Sequence, residues 1–277
     1  MFVLGATGTI GRATVRALVL RGHEVVCFVR PRTSVGGMAA QNGAVVPKGS
    51  AMRLGDVTNP RSLVRDGFRG ERFDALVSCL ASRTGAPKDA WAIDHQAHVD
   101  ALAAATDSGV TQMILLSAIC VQKPLLAFQH AKLAFEKVLR ESGLTYSIVR
   151  PTAFFKSLSG QVDGLKRGKP FLMFADGNAH ILQADQRRRP SAIYLAECLD
   201  VESRHGRILP IGGPGDVITP RQQGERLFAL LGCTPRFTHV PVALLDTIVW
   251  TLGGLGRAVP TLAEKAELAR IGRYYAT

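Results

Sequence analysis

The sequence predicts an α/β fold, a doubly wound parallel sheet with a smaller C-terminal lobe, and three observations predict it. Short apolar runs alternate with helix-like segments from residue 2 to about residue 150. A glycine triplet joins the first run to the first helix. From Pro151 onward the alternation becomes irregular.

The first strand is Phe2-Val3-Leu4, followed by GATGTIGR and the helix-like RATVRALVLRG. Gly5 permits the tight turn, Gly8 lets backbone N–H groups approach a pyrophosphate at the positive end of a helix, and Gly11 lets helix and strand pack closely. A dinucleotide is the expected ligand, and Gly5, Thr7, Gly8, Thr9, Ile10 and Gly11 are its expected cradle. A buried strand over Glu24 to Arg30 comes next, then a long glycine-rich loop, a strand over Met52 to Asp56, a helix over Arg61 to Phe68 and the strand DALVSC. A helix over Trp91 to Ser108, a strand over Gln112 to Ser117 and the strand YSIVRP continue the alternation. Between the last two strands, Leu126 to Ser142 carries apolar residues at helical spacing, and Gly143 ends it. Repeated β-α units with right-handed crossovers give a Rossmann-type sheet whose ligand lies outside the carboxyl ends of the strands. The expected division is a dinucleotide-binding domain over 1–150 and a substrate-covering lobe over 151–277. Within the lobe, RILPIGG reads as a strand, and Thr219-Pro220 caps a helix running to Leu231.

At 277 residues and 47% hydrophobic content the chain can bury a full core. Its five cysteines are scattered, with no CxxC pair, which predicts reduced thiols. A first strand at residue 2 leaves no room for a targeting peptide, so a cytoplasmic protein is expected. The net charge of +12 suits anionic partners. No basic stripe interleaved with aromatics and no DNA-binding motif is present, so nucleic acid is not an expected partner. The apolar stretch from Val242 to Pro260 contains Asp246, Arg257 and three glycines, and falls short of the ~20 residues of a membrane span. It predicts a buried or interfacial helix and leaves peripheral contact with a membrane as an expectation.

At the end of the second strand an acidic residue would grip the ribose of NAD, whereas arginine accommodates the 2′-phosphate of NADP. Arg30-Pro31-Arg32 stands there, so NADPH is the expected cofactor, with Arg30 as the principal contact and Arg32 beside it. Asp56 and Val57, in LGDV at the end of the third strand, are expected near the adenine, although an Asp at a strand end also forms turns. No metal site is expected, and His130 reads as a surface histidine.

GATGTIGR, LGDV, Ser117 at the end of the fifth strand and Lys132 in the following helix together resemble the short-chain dehydrogenase/reductase superfamily. The resemblance implies that Ser117 and Lys132 are catalytic, with Lys132 holding the nicotinamide ribose. It also implies a tyrosine four residues before the lysine, where this chain has Phe128. A phenol beside a lysine passes a proton to or from a carbonyl oxygen, and phenylalanine cannot. Hydride addition to an activated C=C bond, or cofactor sensing without turnover, is therefore expected in place of alcohol-ketone chemistry.

A closer resemblance covers nearly the whole chain. FVLGATGTIGRATVRAL, LLSAICVQKPLLAFQHAKLAFEKVLRESGLTYSIVRPTAFFKSL, RILPIGGPG and KAELARIGRYYAT look like the divinyl chlorophyllide a 8-vinyl reductases, an atypical, NmrA-like branch of that superfamily. This implies NADPH-dependent reduction of the 8-vinyl group of a (bacterio)chlorophyll precursor to ethyl. Such a vinyl group accepts hydride at its terminal carbon because the charge spreads into the macrocycle. The substrate residues expected are Phe154 and Phe155, with Phe171 and Phe174 completing a flat apolar pocket, and Lys156, near Lys166, Arg167 and Lys169, for the substrate carboxylate. Two other readings stand beside it: a non-catalytic redox sensor of NmrA type, and a reductase or isomerase of another bulky apolar substrate.

The resemblance breaks from Asn178 to Ala192, where NAHILQADQRRRPSA replaces a stretch expected to resemble TLTxCKPISDxDLA. A frame shifted by one nucleotide is compatible with TLTSCKPISDADLA, so two compensating frameshifts are the expectation. Truncation is expected at Thr277, since the family continues beyond RYYAT.

Overall fold

The protein is described by a computed structural model covering residues 1–31, 46–152, 159–174, 191–212, 218–255 and 260–276. Seven strands form one parallel sheet: β1 (Phe2–Leu4), β2 (Val25–Val29), β3 (Ser50–Leu54), β4 (Ala75–Ser78), β5 (Gln112–Leu116), β6 (Thr145–Pro151) and β8 (Arg207–Ile211). Their order is β3-β2-β1-β4-β5-β6-β8. Strand order thus reverses between β1 and β4, which opens a crevice at the carboxyl edge beside the glycine turn.

Alternation along the strands explains why both faces must be covered. Phe2 and Leu4, Leu76, Met113 and Leu115, and Ile148 point into one core, with Phe68 and Phe135. Val3, Val77, Ile114 and Val149 point into the other, with Val15, Cys27 and Leu195. The second core is closed by α1 (Thr9–Leu20) and α7 (Ser191–Glu197), which pack against each other. Beyond the first core run three helical segments. One is α2 (Pro60–Ser62), continued by a π-helical turn over Leu63–Phe68. The next runs through α3 (Pro87–Ala90), a π-helical turn over Trp91–Gln96, and α4 (Ala97–Asp107). The last is α5 (Ala127–Glu141).

Two compact units divide the chain. The first comprises Met1–Arg83, Lys88–Pro151 and Gln186–Ile211, and the second Thr84–Pro87, Thr152–Asp185 and Gly212–Thr277. The boundary expected after residue 150 is therefore crossed again, because β8 pairs with β6 and α7 packs on α1.

In the second unit β7 (Phe171–Phe174) pairs in parallel with β9 (Phe237–Val240). Leu165 of α6 (Ser159–Lys166), Phe171, Met173 and Phe228 of α8 (Pro220–Leu231) form its core. Phe171, expected in a pigment pocket, is 2% exposed in this core. Thr219 caps α8 as predicted, accepting from the Gln222 N–H while the Gln222 carboxamide accepts from the Thr219 N–H. The apolar stretch from residue 242 forms α9 (Val242–Leu255), which packs against α10 (Pro260–Ala276). It is not a buried helix: Leu244, Ile248 and Trp250 are exposed, Trp250 at 79%. Its half-covered residues Val242, Leu245, Val249 and Leu252 recur at helical spacing, so only one stripe is covered.

Candidate functional site

The glycine turn sits at the carboxyl end of β1. Gly5 has φ +72°, and a Cβ there would lie 2.5 Å from the Cys79 backbone. A Cβ on Gly11 would lie 2.1 Å from the Gly5 carbonyl oxygen. Only glycine fits at either position. Gly8 is the N-cap of α1 and carries no side-chain cap, and the first turn holds no acidic residue. Thr7, Gly8 and Thr9 are exposed, while Ile10 leans on the second core. A helix N-terminus with no side-chain cap and no acidic residue in its first turn, beside exposed turn atoms, fits the pyrophosphate of a dinucleotide.

Arg30 follows β2, with its Nε 3.9 Å from Asp56 Oδ1, and both side chains are about half exposed. Asp56 forms a turn as well: its Oδ1 accepts from the Thr58 N–H at 3.0 Å and from the Thr58 hydroxyl at 2.8 Å. The backbone hydrogen bond from Thr58 is the main reason its carboxyl is held below its ordinary range. Val57 places its side chain in the first core. Arg32, Phe154, Phe155, Lys156 and residues 178–190 lie outside the described residues. Ser191 and Ala192, which end that stretch, open α7 and are buried.

Two buried ionic clusters lie along α5, on side chains one helical turn apart. Lys132 Nζ is 2.9 Å from Asp94 Oδ1, with the side chains 11% and 0% exposed, and Oδ1 also accepts from the Ser82 N–H at 3.2 Å. Glu136, the next residue on that face, pairs with Arg150 of β6 and accepts from the Ser117 hydroxyl at 2.5 Å. The hydroxyl proton of Ser117 therefore points to a buried carboxylate. Phe128 occupies the same face one turn before Lys132.

Behind Asp94, His98 Nδ1 lies 2.8 Å from the Ile93 carbonyl oxygen and Nε2 lies 2.8 Å from Ser78 Oγ. The carbonyl can only accept, so Nδ1 carries the proton and Nε2 accepts from Ser78. Burial first, and the Lys132 ammonium second, push this imidazole down to about 4, so it is neutral near pH 7.

The structure thus gathers the turn, Arg30, Asp56, Ser117 and Lys132 on one unit. Sequence reasoning missed Asp94, Glu136, Arg150 and His98. Glu136 was within reach, four residues after Lys132 on a helix; Asp94 and Arg150 belong to other elements and have no fixed spacing to α5. All five cysteines are free, as expected, and burial pushes the Cys79 thiol up to about 11.

A family model described as NAD(P)H-binding matches residues 5–176. The chain is 44% identical over its whole length to the chloroplastic divinyl chlorophyllide a 8-vinyl-reductase of Zea mays, covering 70% of that protein. It is 45% identical, with the same coverage, to the chloroplastic protein of that name from Oryza sativa subsp. indica. Among solved structures, an NADPH-dependent quinone oxidoreductase from Escherichia coli complexed with NADPH superposes with a TM-score of 0.67 at 19% identity, over 98% of this chain and 89% of that one, which shows the shared fold.

Proposed function

Because this chain belongs to the NAD(P)H-binding proteins and, within them, to the divinyl chlorophyllide a 8-vinyl-reductases, we propose that it uses NADPH to reduce the 8-vinyl group of divinyl chlorophyllide a, or a related divinyl precursor, to ethyl. The observation that carries the reading is 44–45% identity over the full chain. The nicotinamide supplies the hydride.

The chain's own residues would do the rest. The N–H groups at the start of α1 hold the pyrophosphate, with Gly5, Thr7, Gly8, Thr9, Ile10 and Gly11 around it. Arg30, with Arg32, meets the 2′-phosphate where NAD-dependent chains carry an acid. Asp56 and Val57 border the adenine, Asp56 also fixing the turn. Lys132 holds the nicotinamide ribose. Ser117 stays beside it with its proton engaged by Glu136, so it serves as an acceptor. With Phe128 in place of a phenol, an alcohol oxidation has no proton acceptor at that position, which supports reduction of a C=C bond. Phe154, Phe155 and Lys156 remain the proposed substrate contacts, two rings for the macrocycle and a cation for its carboxylate.

Peripheral contact with a photosynthetic membrane belongs to the same proposal. Among the described residues no helix is long and apolar enough to cross a membrane. The exposed Leu244, Ile248 and Trp250, in a chain of net charge +12, suit the surface of an anionic bilayer. Co-sedimentation with anionic vesicles, lost in Trp250→Ala, checks it.

The direct test is incubation with NADPH and divinyl chlorophyllide a, following the pigment by absorption and mass. The expected product has gained two hydrogens, and NADH alone gives none. If the chain binds NADPH without product, it is assayed again with TLTSCKPISDADLA restored within 178–192; activity regained there supports the frameshift reading, and none overturns the proposed reaction.

A further inference from the structure

The geometry points to Asp94 as a positioning residue: its buried carboxylate holds the Lys132 ammonium in place for the nicotinamide ribose, an inference that rests on the function proposed above. Stability alone does not account for this pair. Burying an ion costs several kcal/mol, and an apolar pair of similar volume is often as stable. Yet the Asp94 side chain is 0% exposed and Lys132 only 11%. Oδ1 takes the ammonium at 2.9 Å and the Ser82 N–H at 3.2 Å, whereas Oδ2 is buried with no hydrogen-bond partner among the described residues. A carboxylate placed for stability would have both oxygens satisfied.

The backbone around Asp94 is specialised in the same sense. Residues Trp91–Gln96 form a π-helical turn inside an otherwise α-helical segment, a feature that is locally unfavourable and frequent at functional sites. Asp94 lies in that turn, which packs directly against α5. The turn is braced behind by His98, which engages the Ile93 carbonyl and Ser78 and packs its ring, tilted, 4.8 Å from that of Phe135 of α5. Lys132 has a long flexible stem, and without an anchor its head would sample many rotamers. Asp94 confines that head while remaining behind it, so it acts through Lys132 and not on the substrate.

The test compares wild type with Asp94→Asn, Asp94→Glu, Lys132→Met and the double variant Asp94→Asn/Lys132→Met. NADPH affinity is measured by nicotinamide fluorescence, and kcat and KM are measured with divinyl chlorophyllide a. Asp94→Asn removes the charge. Asp94→Glu keeps the ion pair but moves it by one methylene, so it answers the question if the amide variant fails to fold. Displacing a positioned group by about 1 Å costs roughly 100-fold. The expected result is therefore a 10- to 100-fold fall in kcat in both single Asp94 variants, weaker NADPH binding and an unchanged KM for the pigment. The double variant should be no worse than Lys132→Met alone. Wild-type NADPH affinity and kcat in a folded Asp94→Asn or Asp94→Glu protein would overturn the assignment, as would losses that multiply in the double variant. If wild type binds NADPH but does not turn the pigment over, the proposed reaction fails, and the non-additivity of NADPH affinity still decides the role of Asp94.

Discussion

The two units differ in how much core they own. The first buries both faces of a seven-stranded sheet, with Phe2, Leu76, Met113, Ile114 and Val149 all at 0% exposure. The second gathers Leu165, Phe171, Met173 and Phe228 into its core cluster, and α9 has no buried side chain among its described residues. A cofactor cradle needs atoms fixed to fractions of an ångström, and a sheet closed on both faces supplies that rigidity. A unit with few buried apolar contacts opens locally at lower free energy. Chemistry that depends on fixed geometry therefore concentrates in the first unit, where the glycine turn and both buried ionic clusters sit.

The strongest challenge to this contrast is Gly11→Ala. The new Cβ would meet the Gly5 carbonyl oxygen at 2.1 Å, and both are backbone-bound. We expect a loss in the exceptional range above about 4 kcal/mol, with NADPH binding gone, read by urea unfolding and titration. Next come two phenylalanines. Phe2→Ala should cost about 3–5 kcal/mol and weaken NADPH binding, since Phe2 stacks on Phe68 in the first core. Phe228→Ala should cost a similar amount but leave NADPH affinity intact, with amide exchange rising only in residues of the second unit. Loss of NADPH binding in Phe228→Ala would show that the units unfold as one.

A pH effect sharpens the contrast further. His98 is pushed from 6.5 to about 4 in the folded chain, so below 6.5 the unfolded chain takes up a proton that the folded one refuses. Stability from this residue is full above pH 6.5 and declines toward about pH 4, by up to roughly 1.4 kcal/mol per pH unit. His98→Gln should flatten that part of the acid-denaturation curve, and an unchanged slope would place the dependence elsewhere. Arg30→Ala should weaken NADPH about tenfold, the scale of one charged hydrogen bond, while leaving NADH unaffected. The smallest effect is expected in the second unit: Trp250→Ala should shift stability by no more than about 0.5 kcal/mol, because a side chain 79% exposed loses little packing. A larger drop in melting temperature would mean that α9 is covered in the native protein.

Much of this architecture was legible before the structure. Gly5, Gly8 and Gly11 mark a strand, turn and helix, with only glycine tolerated at Gly5 and Gly11, and β1 and α1 fall where the motif requires. The continuous apolar runs Phe2-Val3-Leu4 and Met113 to Leu116 mark strands covered on both faces. The apolar run at 242 was legible as a buried or interfacial helix but the sequence left those two open, because hydropathy cannot report how many neighbours a helix finds. Asp56 was readable as a turn former, since an Asx turn is local.

What the sequence by itself determined is whatever depends on residues near one another in the chain: the glycine turn, the alternation of strands and helices, Arg30 after β2, and the stripe of Phe128, Lys132 and Glu136 on α5. Tertiary structure alone decided that Asp94 meets Lys132, that Arg150 meets Glu136, that the Ser117 hydroxyl donates a hydrogen bond to a buried carboxylate, and that β8 returns to the first unit. The physical reason is that local backbone preferences act over a few residues. Pairing of buried charges and of distant strands is settled only when the whole sheet closes and each desolvated group must find its partner.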